Sequence, residues 1–176
     1  QVSTSEGSDI GTVQNILGNE RIEDIVPIAG GYKCVGSIAN EKNNTLYWFI
    51  TKKFGSETVD AIVEYKKDFE PSLVLVDTKQ GTSEAVLKFP DSIITGINII
   101  DDLLFWTDNI NEPRKINIER CKQGTSGNLN SPTHTKLVVN GDITGDDITE
   151  DHITVVKKTP KKAPTIKINT TTELSD

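Results

Sequence analysis

Two stretches of the chain repeat one another. Gly36-Ser-Ile-Ala-Asn-Glu-Lys-Asn-Asn-Thr-Leu-Tyr-Trp48 reads like Gly96-Ile-Asn-Ile-Ile-Asp-Asp-Leu-Leu-Phe-Trp106. Each has a glycine, a β-rich run, a turn of Asn or acidic residues, and then Leu-aromatic-Trp. Each passes through a polar loop into a further β-rich run, Ala61-Ile-Val-Glu-Tyr65 in the first copy and Lys115-Ile-Asn-Ile-Glu-Arg120 in the second. A unit of this kind is a small twisted sheet that cannot bury both faces alone; stacked neighbours bury one layer between them. The repeat therefore predicts two antiparallel sheets related by Trp48 and Trp106. Tyr47/Trp48 and Phe105/Trp106 are expected to supply the aromatic layer between them.

The rest of the chain follows the same grammar. β-Branched and aromatic residues dominate short runs at Asp24–Ile28, Cys34–Ala39, Thr45–Thr51, Asp60–Tyr65, Ser72–Asp77, Ala85–Phe89, Ile93–Ile100, Leu103–Thr107 and Lys115–Arg120. Turn residues separate them: Gly30-Gly31, Asn43-Asn44, Gly55, Pro71, Gly81, Pro90 and Asp101-Asp102. Short strands at regular spacing predict an all-β sandwich, barrel or propeller. No long stretch has helical periodicity. The two tryptophans lie slightly further apart than the ~40–50 residues of a propeller blade, and Ser72–Asp77 completes the first copy. The expected fold is all-β, an incomplete β-propeller-like array of about two antiparallel blades. Two blades are too few to close a ring, so one aromatic face and a strand edge should await a cover.

Composition shifts divide the chain in three. Residues 1–22 are polar and form an extended N-terminal arm, with one short strand at Thr12–Leu17. Residues 23–128 carry the two repeats, and a Gly/Ser/Asn loop at Gln123–Ser131 spans the boundary to the last segment. Residues 129–176 hold a strand at Thr135–Val139, an acidic loop from Gly141 to His152, and a last strand at Ile153–Val156. A Pro/Lys-rich outgoing linker follows, where Pro160 and Pro164 favour extended backbone. The chain contains no methionine, which marks it as a processed piece or a segment of something longer.

Charge and motif content narrow the function. A net charge of −7 is poorly suited to general binding of nucleic acid or anionic membrane. No apolar run approaches the ~20 residues a membrane helix needs. No catalytic residues and no cofactor are expected. The only histidines are His134 and His152, neither Cys34 nor Cys121 sits in a nucleophile signature, and no glycine-rich phosphate loop follows a strand. Asp101-Asp102 reads as an ordinary acidic hairpin turn; a glycosidase-like carboxylate pair is the one enzyme reading it leaves. Asp142, Asp146, Asp147, Glu150, Asp151 and His152 crowd a glycine-containing stretch. Oxygen ligands there suit Ca²⁺, yet the spacing does not match the twelve-residue calcium loop, and a solvated loop is the favoured reading. Lys157, Lys158, Lys161, Lys162 and Lys167 form a basic tail. If it lined a DNA channel it would touch phosphates without sequence specificity; a solvated linker is the simpler reading. Asn109-Ile-Asn-Glu-Pro-Arg114 is read as a fixed turn, with Arg114 pairing to Asp108 or Glu112 across it. Nothing in the repeat brings Cys34 and Cys121 together, so they are expected unbonded.

Two resemblances sharpen this. Leu104-Phe-Trp-Thr-Asp108 followed by Arg114-Lys-Ile-Asn-Ile-Glu-Arg120 resembles the YWTD repeat of extracellular β-propellers of the low-density-lipoprotein-receptor kind. The earlier copy, Leu46-Tyr-Trp-Phe-Ile50, keeps Tyr-Trp and lacks Thr-Asp. Thr12-Val-Gln-Asn-Ile-Leu-Gly-Asn19, the string from Thr95 to Ile118, and His152-Ile-Thr-Val-Val-Lys-Lys resemble, in that order, large virion structural proteins of tailed phages, especially crAss-like and related phages of Bacteroidota and marine hosts. The second resemblance implies a nozzle- or muzzle-like tail protein, assembled in the host cytoplasm as a ring of copies around the DNA exit channel. Its partners would be those copies and neighbouring virion proteins, with non-specific contact to packaged DNA. The first implies an extracellular binding module for a protein or glycan.

Overall fold

Alternating β-branched and polar residues build two hairpin-based sheets. The computed structural model describes residues 31–53, 58–66, 71–128 and 130–157. The expected N-terminal arm, the strands expected at Thr12–Leu17 and Asp24–Ile28, and the tail from Lys158 onward lie outside the described residues. The first sheet runs β1 (Lys33–Asn40), β2 (Thr45–Lys52), β3 (Val59–Lys66), β4 (Ser72–Asp77), each antiparallel to the next. The second runs β5 (Gly96–Ile100), β6 (Leu103–Thr107), β7 (Arg114–Asn117), again antiparallel. Neither sheet closes on itself. Asp101-Asp102 forms the two-residue turn between Ile100 and Leu103, with Asp101 at φ 53°.

The repeat is visible in the register. Gly36 lies opposite Phe49 and Ser37 opposite Trp48. Gly96 lies opposite Thr107 and Ile97 opposite Trp106. Glycine thus faces the residue after tryptophan in both sheets, and the two hairpins differ mainly in their turns.

One core lies between the sheets. Val35, Tyr47, Phe49, Ile62, Val74 and Leu75 of the first sheet meet Leu104, Trp106 and Ile116 of the second. At about 1.5–3 kcal/mol for each large side chain buried, this layer outweighs any single polar contact in the molecule. The aromatic layer differs from the expected one. Phe49, Phe89 and Trp106 form it, with Phe49 and Trp106 edge-to-face at 5.5 Å. Tyr47 joins at its margin, whereas Trp48 and Phe105 point to the opposite faces. Period-two alternation forces this, because neighbours in one strand cannot share a face.

Several expected elements take other forms. Ala85–Phe89 is a buried irregular segment, not a strand; side-chain carboxylates satisfy its amides in place of a neighbouring strand. The strand expected over Lys115–Arg120 stops at Asn117. The Asn117 side chain accepts a hydrogen bond from Arg120 N and caps helix α1 (Ile118–Gly124), which occupies the start of the expected Gln123–Ser131 loop. A small hairpin of β8 (Gly127–Asn128) and β9 (Ser131–Pro132) follows. The acidic stretch is largely ordered as β11 (Asp142–Asp147) against β10 (Lys136–Val139). The turn is Asn140-Gly141 with φ 53° and 89°, the left-handed pair that a two-residue hairpin favours. Ile153–Val156 is not a strand: α2 (Glu150–Ile153) ends there, and Thr154 forms an isolated antiparallel bridge with Arg114. Ile148 and Ile153 sit in the same core as both sheets.

Candidate functional site

The two sheets stack head to tail. Equivalent positions by register are Trp48 and Trp106, yet only Trp106 faces the shared core. Trp48 faces the other way, stacks on Tyr65 at 5.8 Å, and borders a second cluster of Ile50, Val59, Ala61, Val63 and Val76. So the tryptophan face of the second sheet lies on the Tyr47/Phe49 face of the first. A two-fold sandwich would instead bring like faces together. The first strands of the two sheets touch: a Cβ at Gly36 would come within 2.8 Å of Ile97 Cδ1 and 3.0 Å of the Ile94 carbonyl oxygen. Ile94 N also donates to Val35 O at 2.7 Å. Further out, α1 packs on β4 and β10 and puts Ile118 and Cys121 into the shared core. The far face of the second sheet carries Asn98, Ile100, Leu103, Phe105 and Lys115. Ile100 is 54% exposed, and Leu103 and Phe105 are half-buried.

Residues 78–90 form a strap over the end of the first sheet, held by charged groups of which Asp60, Asp77 and Lys88 were not singled out from the sequence. Asp60 and Asp77 occupy one rung of β3 and β4 and are fully buried. Asp77 accepts from Val86 N at 2.6 Å, Leu87 N at 2.8 Å and Lys79 N at 2.9 Å. Asp60 accepts from Phe89 N at 2.8 Å. On the other side Arg114 donates to Leu87 O and pairs with Glu150 at 2.9 Å, while Lys88 pairs with the same carboxylate at 2.6 Å. Arg114 is 1% exposed. The expected pairing of Arg114 with Asp108 or Glu112 is therefore corrected. Its inward position on β7 aims the guanidinium at the strap and α2, and Glu112 is exposed.

Asp108 instead organises its own turn. It accepts from Ile110 N and Asn111 N through Oδ1 and from the Asn111 amide through Oδ2, at 2.7–2.9 Å. Burial raises its carboxyl, but these donors outweigh burial and hold it below the usual range. Asn109 takes φ 61° in the same turn.

The weak metal candidates are separated by their partners. Asp147 bridges Lys79 at 2.9 Å and Lys136 at 2.7 Å, and these lysines lower its carboxyl to about 2. Asp142 and Asp146 are exposed along β11. Among the described residues no group of three His, Cys, Asp or Glu converges on one point. Asp146, Asp147, Glu150, Asp151 and His152 line one side of a groove of about 670 Å³, facing Lys79 and Glu84. Asp101 and Asp102 line a second, of about 520 Å³, with Glu64 and Lys122 at its base. Glu64 is tied there by Tyr47 Oη at 2.9 Å, Ser72 at 3.0 Å and Lys122 at 2.6 Å. Both cysteines are free, Cys34 exposed on β1 and Cys121 buried on α1. Of the residues in the repeat, the fold brings Trp106 and Arg114 together as cross-strand neighbours. Trp48, Tyr47 and Phe105 remain on other faces or at the margin.

No family model, curated protein or solved structure matches this chain. Among the described residues no helix is long and apolar enough to cross a membrane.

Proposed function

We propose that this chain is a non-catalytic structural component that works by stacking sheets, and that its setting is the tail of a phage virion. In this reading the two sheets are consecutive blades of a propeller-like array within a nozzle-type ring, built from copies of the chain and neighbouring virion proteins around the DNA exit channel. The ring would be assembled in the host cytoplasm. One observation carries the reading: the sheets repeat in register and pack head to tail. The far face of the second sheet is open at Ile100, whereas the outer side of the first sheet is half-buried at Trp48 and Leu73 and buried at Ile50, Val63 and Val76; heterologous contacts between unlike faces generate rings when the rotation closes. The buried charges support a structural role, because Asp60 and Asp77 accept from backbone amides of the strap and Arg114 is divided between Leu87 O and Glu150. The Lys157 end of the basic tail would reach packaged DNA only through phosphates.

A second reading has its own support. Asp108 completes a tight turn directly after Phe105-Trp-Thr107, as a YWTD-type blade uses its acid, and this favours an extracellular module that binds a protein or glycan. Light scattering and negative-stain images of the purified chain separate the two. A symmetric ring is expected from the virion reading. A monomer that stays monomeric at high concentration, and is retained on a protein or glycan array, supports the binding module instead.

A further inference from the structure

Three side chains make a buried polar row at the end of the first sheet. Thr51 on β2 is the cross-strand neighbour of Asp60 on β3, which is the neighbour of Asp77 on β4. Their exposures are 2%, 0% and 0%. Two carboxylates on adjacent strands at one rung repel when both are ionised. Asp77 is compensated by three backbone amides. Asp60 has one, from Phe89, and its Oδ1 has no partner, nor has Thr51 Oγ1 beside it.

The charged groups around the row give Asp60 little help. Lys53, at the end of β2, is exposed and pairs with Asp91 at 3.0 Å. His134 lies 3.6 Å from Asp77 Oδ1. Its Nδ1 accepts from Thr78 N at 3.3 Å, so the ring proton sits on Nε2, 3.1 Å from Ile148 O. Lys79 is turned outward to Asp147 and Glu84.

We propose that the Asp60–Asp77 pair is a proton-operated latch on the strap: a proton on Asp60 Oδ1 locks residues 85–89 against the first sheet, and its loss loosens them. The protonated oxygen would donate to Thr51 Oγ1, satisfying both orphaned atoms, while Oδ2 keeps its bond from Phe89 N. The strap also presents Leu87 O to Arg114 and Lys88 to Glu150, so its hold on the first sheet is coupled to its hold on the second. Burial is the largest cause that raises the Asp60 carboxyl, from 3.8 to about 6; the Thr51 hydroxyl and the Phe89 amide pull it down, and the neighbouring Asp77 adds to the rise. A folded value above the unfolded one means that the contribution is full below the unfolded value and is lost as pH rises through about 6. Mild acid should therefore tighten this fold.

The test is amide hydrogen exchange at Val86, Leu87 and Phe89 in the whole chain between pH 5 and 7.5, corrected for intrinsic rates. In the wild type the opening constant of the strap should rise about tenfold over that range. Asp60→Asn keeps the acceptor for Phe89 N and supplies a donor to Thr51. It should be flat within about twofold and better protected than wild type at pH 7.5. His134→Gln should keep the wild-type slope. A flat wild type, a slope that survives Asp60→Asn, or a slope that vanishes in His134→Gln overturns the latch. Should Asp60→Asn fail to fold, carboxyl ¹³C titration of the wild type decides. A midpoint for Asp60 near 6 supports the proposal, and one near the ordinary value of about 4 overturns it.

Discussion

Arg114 concentrates the residue-scale logic of this molecule. A buried guanidinium is tolerable only when paired, and truncating its partner leaves an uncompensated charge in the core. Glu150 is that partner and also holds Lys88. Glu150→Ala should therefore destabilise the fold by about 2–4 kcal/mol in urea unfolding, somewhat less than a fully buried pair because Glu150 is partly exposed. Glu150→Gln, which still accepts a hydrogen bond, should cost less than half as much. The sequence puts Arg114 beside a turn and suggests a local partner. The true partner lies on α2, and only the fold brings it within reach. Asp60 and Asp77 escaped notice for a related reason. An acid at a strand end reads as turn chemistry, and nothing local reveals that an irregular strap will need its amides capped. The thiols give a simpler check. Burial pushes Cys121 up to about 12, while Cys34 is exposed. A thiol reagent should modify one cysteine per native chain at neutral pH and the second only after denaturation; fast modification of both would place α1 off the core.

Elements were legible where the pattern was local and period two. Every strand of the first sheet, and the hairpin around Asp101-Asp102, falls where alternation and turn residues put it. What the pattern missed were short devices: the Asn117 cap that turns a strand into α1, and the Asn140-Gly141 turn inside a stretch read as a loop because it is acidic. Both signals stand in the sequence, but charge density masked the second and a strand-like Ile-Asn-Ile run masked the first. Two predictions belong at this scale. Gly36 lets β1 approach β5, and any side chain there would meet the Ile94 backbone and Ile97. Gly36→Val should cost about 1–3 kcal/mol by overpacking and shift amide resonances of both β1 and β5; a shift confined to β1 would deny the contact. The second concerns α1, docked on the first sheet through Lys122 and Glu64. Burial raises the Glu64 carboxyl, but hydrogen bonds from Lys122 and Tyr47 outweigh it and hold it below its ordinary value. Its folded value is depressed, so its contribution is present above the unfolded value of about 4.3 and is lost as pH falls through the folded one. Lys122→Met should remove that acid-limb loss of stability, read as a weaker dependence of the urea midpoint on pH below about 4.

At the scale of the whole molecule the question is what a head-to-tail stack of two sheets does with its far face. The first sheet shows what such a face becomes when covered: its Tyr47/Phe49 side is buried beneath Trp106. The second sheet offers the corresponding side, with Phe105 at the position of Tyr47, but Ile100 is 54% exposed there. On a lone chain, an exposed strand position of this kind tolerates a charge at a cost within about 0.5 kcal/mol. In an assembly that lays another sheet over the same face, the identical charge would be buried unpaired and would break the contact. Ile100→Lys should therefore leave thermal unfolding and the circular dichroism spectrum of the isolated chain unchanged while reducing the mass seen by light scattering from that of an assembly to that of one chain. Phe105→Lys should do the same at a somewhat larger cost in stability, since Phe105 is half-buried. If the wild type is already monomeric at high concentration and neither lysine changes its mass, the far face is an ordinary solvated sheet surface and the assembly reading fails.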